Sequence, residues 1–188
     1  MGRSNSDQVG LPPGVCMRDL PQRDDDRGVL VELSRATLGD DARPVQWNVM
    51  RSTANTLRGM HVHVCHTDWV TVVEGVAVFG LVDLRPETID GGARATVRMD
   101  AARPQVLTIP PGVLHGIYTP DTSVVLNGLS HEFDPTDDLA VRFDDPDLAL
   151  DWTVVDPVLS PRDRAAPTVA GLFDWLATEG VALPALDA

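Results

Sequence analysis

Three of the five histidines fall within His61-Val62-His63-Val64-Cys65-His66, and a carboxylate follows at Asp68. Imidazole nitrogens and carboxylates are the groups from which proteins build transition-metal sites and general bases. Side chains two apart on a strand share a face, so His61 and His63 project together while Val62 and Val64 point to the other side. Residues 64–67 read as a turn, which would start the next strand at Asp68 opposite His63 and deliver its carboxylate to both rings. The order His-x-His-x4-Asp-x6-Gly closes on Gly75, and Pro110-x-Gly112-x2-His115 places another histidine just after a tight turn. Neutral imidazoles with one carboxylate suit a divalent ion and leave positions open for substrate or oxygen. His61, His63 and Asp68 therefore form a candidate site for a divalent transition-metal ion. A His-x-His pair is also found as a solvated edge or a satisfied core pair. His66, on the turn, and His131, near the acidic tail, read as surface residues.

The elements that must carry these residues are strands. Short β-branched segments separated by turn residues run over 29–35, 45–51, 57–64, 69–73, 76–84, 95–99, 105–109, 114–118 and 123–133. Turn signals at Glu74-Gly75, Asp90-Gly91-Gly92 and Pro110-Pro111-Gly112 fall between them. Many short strands at such spacing predict an all-β sandwich or barrel. One helix is expected over Thr168–Glu179, closed by Gly180, with apolar Val169, Leu172, Phe173 and Leu176 on one face, packed outside the β-body. Residues 1–25, rich in Gly, Pro, Asp and Arg, read as a loosely ordered arm outside the core, which leaves 26–188 as a single domain.

Composition removes several function classes. The chain has 188 residues, enough for one core without disulfides. Its 28 acidic against 15 basic side chains give a net charge of −13, a field that repels nucleic-acid phosphates and anionic lipid. All basic residues are arginine, so Schiff-base chemistry and a lysine general base are excluded. Cys16 and Cys65 are too few for a secreted disulfide framework, which points to the cytoplasm. The most apolar run, 69–84, is broken by Glu74 and Gly75, so no membrane span is expected.

The two histidine segments resemble the two motifs of metal-binding cupins, and that resemblance implies that His61, His63, Asp68 and His115 would together hold Fe, Mn, Ni or Zn. A closer resemblance covers Arg27 to Pro167: Leu57-Arg58-Gly59-Met60-His61, Val82-Asp83-Leu84-Arg85, the run from Ile109 to Gly116, and Leu159-Ser160-Pro161-Arg162-Asp163 are similar, in order, to motifs of the dTDP-4-dehydrorhamnose 3,5-epimerase family. That resemblance implies a cupin jelly-roll barrel or sandwich with a C-terminal helix, assembled as a homodimer. It also implies a small-molecule substrate, a nucleotide-linked 4-keto-6-deoxyhexose, epimerised beside its ketone without any required cofactor. Carried onto this chain, it makes His61 the base and Asp163 its orienting carboxylate. Arg58 would lie near sugar or phosphates, and Arg27 and Glu32 would contact the nucleotide.

Three positions depart from the family pattern. Asp68 stands where the family has the lysine that stabilises the enolate, Phe133 where it has the tyrosine that returns the proton, and His63 where it has a glutamine. Tyr118, the chain's only tyrosine, is the other aromatic candidate at the substrate. Losing a cationic electrophile and a general acid weakens the ordinary double epimerisation. Two alternatives to an epimerase-like enzyme follow: a metal-dependent dioxygenase, lyase or cyclase on a non-sugar substrate, and a catalytically inactive ligand-binding cupin.

Overall fold

A computed structural model describes residues 10–34, 43–88 and 92–186. Two five-stranded antiparallel sheets face each other. The first runs in the order β1 (Cys16–Asp19), β9 (Gln105–Ile109), β6 (Asp68–Glu74), β11 (Ser123–Leu129), β4 (Gln46–Ser52). The second runs β12 (Asp138–Ala140), β5 (Thr56–His63), β10 (Val113–Thr119), β7 (Val76–Asp83), β8 (Arg94–Asp100). A separate hairpin joins β2 (Gln22–Asp25) to β3 (Gly28–Val31). The expected all-β jelly-roll sandwich with a C-terminal helix is thus the observed architecture, and each sequence segment with strand character contains a strand.

Alternation along the strands builds two apolar layers. Between the sheets, Val70, Val72, Leu107, Ile109 and Val125 of the first meet Phe79, Leu81, Met99, Val113 and Ile117 of the second. On the outer face of the second sheet, Met60, Val62, Val82 and Leu114 are covered by Leu172 and Leu176 of α2 (Val169–Glu179). Thr168 caps that helix by accepting from Gly171 N, and Gly180, with φ +67°, ends it in the left-handed conformation. The strand β5 therefore presents Met60 and Val62 to the helix and His61 and His63 to the interior.

Residues 10–20 depart from the expected loose arm. Four residues, Cys16–Asp19, pair with β9 as an edge strand, and Leu20 is buried with Trp69 and Val106. Arg85, locked bidentate onto buried Asp83, also donates to the carbonyl of Pro13. Pairing to a distant strand orders this segment, so its polar composition alone misleads.

The link between His63 and Asp68 also differs from expectation. The two strands β5 and β6 are not hairpin partners: β5 pairs with β10 and β12, β6 with β9 and β11. Residues 64–67 form a corner that carries the chain from one sheet to the other, so the histidines and the aspartate meet across the sandwich interior.

Candidate active site

At one end of that interior the apolar filling gives way to polar side chains around a cavity of about 260 Å³. Its walls come from six strands and a short helix: Asn48 and Met50 (β4), Arg58, His61 and His63 (β5), Asp68 (β6), His115 and Ile117 (β10), Asn127 and Leu129 (β11), Asp138 (β12), and Ser160, Arg162 and Asp163 around α1 (Pro161–Arg164). Close approach of β5 to β10 requires Gly59, whose φ is +113° and whose position leaves only 2.8 Å from a built Cβ to the His115 carbonyl. The Pro110-Pro111-Gly112 turn is fastened to the same place, because Gly112 N donates to His63 O at 2.8 Å.

His61 and Asp163 form a hydrogen-bonded pair. His61 Nε2 donates to Asp163 Oδ1 at 2.8 Å, while Nδ1, the other ring nitrogen, lies 3.8 Å from Asp138 Oδ1, beyond hydrogen-bond reach. Ser160 and Pro161 start the helix that presents Asp163: the Ser160 hydroxyl caps by accepting from Asp163 N at 3.0 Å, with Pro161 in the first turn. Burial pushes the Asp163 carboxyl up, but the hydrogen bond and charge of His61, helped by Ser160 and the Gly59 backbone, leave it below the ordinary carboxylate value.

A second cluster surrounds Asp68. Its Oδ2 lies 3.4 Å from His63 Nε2, 3.6 Å from His66 Nε2 and 3.6 Å from His115 Nε2, yet it is buried and accepts no hydrogen bond. Its Oδ1 is fixed by Asn127 Nδ2 at 2.8 Å. His66 Nδ1 donates to Asp137 Oδ2 at 2.6 Å, and Asp137 Oδ1 accepts from the backbone of Val64 and Cys65. His115 Nδ1 donates to the Val113 carbonyl at 3.1 Å. The His63 and His66 rings stack with centroids 3.8 Å apart. Burial drives both His63 and His115 below the ordinary imidazole value, against the attraction of Asp68 for His115, so both rings are neutral at neutral pH.

The structure therefore regroups the candidate metal set. His63, Asp68 and His115 converge, and His61 is drawn away to Asp163. His66, read as a surface residue, is 1% exposed and takes the fourth place. Its partner Asp137 is 71 positions away, so no local pattern signals the burial. His131 is exposed, as expected.

Arg58 lines the cavity, with Nε donating to Ser52 Oγ at 3.0 Å, and so does Phe133. Tyr118 does not; its hydroxyl donates to Asn55 Oδ1 at 2.9 Å, on the part of β10 beyond the cavity. Arg27 and Glu32 are also outside the lining, and Arg27 is paired with Asp25 on the exposed hairpin. Sequence reasoning missed Arg162, which holds Asp138 at the cavity wall through a charged hydrogen bond.

Residues 12–171 match the family model of dTDP-4-dehydrorhamnose 3,5-epimerase. The chain is 31% identical over 170 residues to a dTDP-4-dehydrorhamnose 3-epimerase of Streptomyces niveus, covering 86% of this chain and 82% of that one. It is 33% identical over 141 residues to a dTDP-4-dehydrorhamnose 3,5-epimerase of Mycobacterium tuberculosis, covering 71% and 70%. Among solved structures it resembles NovW, a 4-keto-6-deoxy sugar epimerase of Streptomyces spheroides, with TM-score 0.78 and 28% identity over 93% of this chain and 89% of that one. It also resembles ChmJ, a 3'-monoepimerase of Streptomyces bikiniensis in complex with dTDP-quinovose, with TM-score 0.79 and 26% identity over 93% and 90%.

Proposed function

Since the chain belongs to the dTDP-4-dehydrorhamnose 3,5-epimerase family, we infer that it is an epimerase-like isomerase acting on the carbon beside the ketone of a nucleotide-linked 4-keto-6-deoxyhexose. The observation that carries this reading is the 2.8 Å bond from His61 Nε2 to Asp163 Oδ1 at the cavity wall. Asp163 fixes the tautomer that leaves the lone pair on Nδ1, and His61 takes the α-proton at that atom. The C–H bond breaks, its electron pair enters the enolate, and the adjacent carboxylate stabilises the imidazolium. Return of a proton to the opposite face regenerates the ketone with inverted configuration. Phe133 has no hydroxyl to give, so the returning proton comes from solvent, and inversion at one carbon is favoured over two. These proton transfers need no redox cofactor.

Arg58 is assigned to the sugar or phosphates, with Asn48 and Arg162 beside it on the lining. A homodimer fits the surface. The outer face of the first sheet and the nearby hairpin expose Trp47, Val49, Val73, Val29 and Leu30, with Val49 67% exposed. Apolar exposure of this extent is characteristic of a surface that a partner covers. Among the described residues no helix is long and apolar enough to cross a membrane, and both cysteines are free, in keeping with a cytoplasmic enzyme.

The test follows the proton. A dTDP-4-keto-6-deoxyhexose incubated with the enzyme in deuterated water should gain deuterium at carbon 3 or carbon 5, and His61→Asn should abolish the gain. Tight binding of the nucleotide sugar with no deuterium at either carbon would overturn the reading.

A further inference from the structure

The environment of Asp68 is electrostatically incomplete. A buried carboxylate oxygen costs several kcal/mol unless a donor or cation meets it, and Oδ2 of Asp68, 1% exposed, meets neither. Three imidazole nitrogens stand 3.4, 3.6 and 3.6 Å from it. Two of these rings have the other nitrogen committed elsewhere, His66 Nδ1 to Asp137 and His115 Nδ1 to the Val113 carbonyl, and His66 Nε2 is itself buried without a hydrogen-bond partner. A cation seated among these atoms would satisfy the carboxylate oxygen and the ring nitrogens together.

We propose that His63, His66, Asp68 and His115 bind one divalent first-row transition-metal ion. The donor set, three imidazoles and one carboxylate, is that of borderline metals such as zinc and iron(II). An ion about 2.0–2.1 Å from each donor in tetrahedral array sets donor–donor edges of about 3.4 Å. The three edges meeting at Asp68 Oδ2 measure 3.4, 3.6 and 3.6 Å. The donor atoms of His63, His66 and Asp68 all lie within 4.8 Å of one another, and His115, outside that group, is placed by its 3.6 Å approach to Asp68 Oδ2. The supporting contacts are those that orient metal ligands: Asp137 on His66, the Val113 carbonyl on His115 and Asn127 on Asp68.

The site stands without the epimerase reading, but its meaning for catalysis rests on it. The tetrad lines the same cavity as His61; with four protein donors the ion has no open position, so it would add positive charge to that wall rather than bind a carbonyl directly. Asp68 occupies the position of the family's lysine, so charge of the required sign returns by a different route. His61 keeps Nδ1 free for the proton because it is not a ligand.

Protein purified without a histidine tag should contain about one metal ion per chain by elemental analysis. Chelator-stripped protein should take up one Co2+ with the visible absorption of a four-coordinate ion, and added Zn2+ should displace it and raise Tm. Asp137→Asn, which keeps every ligand, should weaken Co2+ binding about 10–100-fold by releasing His66, and His66→Ala should weaken it further, with folding checked by circular dichroism. His61→Asn should leave binding unchanged. Protein that ignores Co2+, Zn2+, Mn2+, Ni2+ and Fe2+ overturns the site, as does binding lost in His61→Asn but kept in His66→Ala. The two readings fail separately: one tightly held ion without solvent exchange keeps the site and removes the epimerase, and exchange by a protein that binds none of these ions does the reverse.

Discussion

Asp163 reaches His61 from 102 positions away, and opposing influences set its charge. Burial raises its pKa, and the hydrogen bond and charge of His61 together with the Ser160 and Gly59 contacts lower it by more, so the folded carboxyl titrates below its unfolded value of about 3.9. The contact's stabilisation is therefore complete above that value and lost as pH falls through the lower folded one. Asp163→Asn should cost about 1 kcal/mol at neutral pH, and its urea midpoint should converge on the parent's only in acid below about pH 4. A gap that persists unchanged in stronger acid would remove the carboxylate from the contact. The same variant should slow solvent exchange into substrate by about two to four orders of magnitude, because the imidazole loses its fixed tautomer. Parent-like exchange would place the base elsewhere. The pairing of these two residues was legible through motif resemblance, whereas His66 was misread because burial depends on Asp137 and on the stacked ring of His63.

The strand β5 is held from both sides, by α2 behind it and β10 beside it. Leu172 is 2% exposed against the face that carries Met60 and Val62. Leu172→Ala should cost about 2–5 kcal/mol, measured by chemical unfolding. A cost under about 1 kcal/mol would mean that the helix is not what backs the histidine strand. Gly59 faces the other constraint. In Gly59→Ala the new Cβ meets the His115 carbonyl at 2.8 Å and Gly116 Cα at 2.9 Å, both backbone, so neither can swing away. A loss of about 2 kcal/mol or more is expected, together with a fall in activity as β5 shifts; a neutral Tm would contradict the close approach. Periodicity made the principal strands and α2 readable, since each has a buried face of its own. The short elements β1, β12 and α1 carry too few apolar residues to announce themselves, and partners far along the chain hold them.

At the scale of the molecule, the exposed row on β4 makes the oligomeric state testable. Trp47 and Val49 alternate outward while Asn48 and Met50 face the cavity, so a change at Val49 alters the surface without entering the site. Val49→Arg should convert a dimer to a monomer in sedimentation, because a desolvated charge at the centre of an apolar interface costs several kcal/mol. A parent protein that sediments as a monomer would remove the dimer reading. The amino-acid sequence by itself determined the all-β class, the strand segments from β3 to β11, the helix with its caps and the pairing of His61 with Asp163 through motif resemblance. Those features arise from side-chain alternation, turn chemistry or short motifs, all of which are local. Which strand joins which sheet was decided only by tertiary structure. So were the corner that sets Asp68 across from His63, the pairing of residues 16–19 with β9, and the replacement of His61 by His66 beside Asp68. Each depends on contacts between residues far apart in the chain, whose energies no local pattern contains.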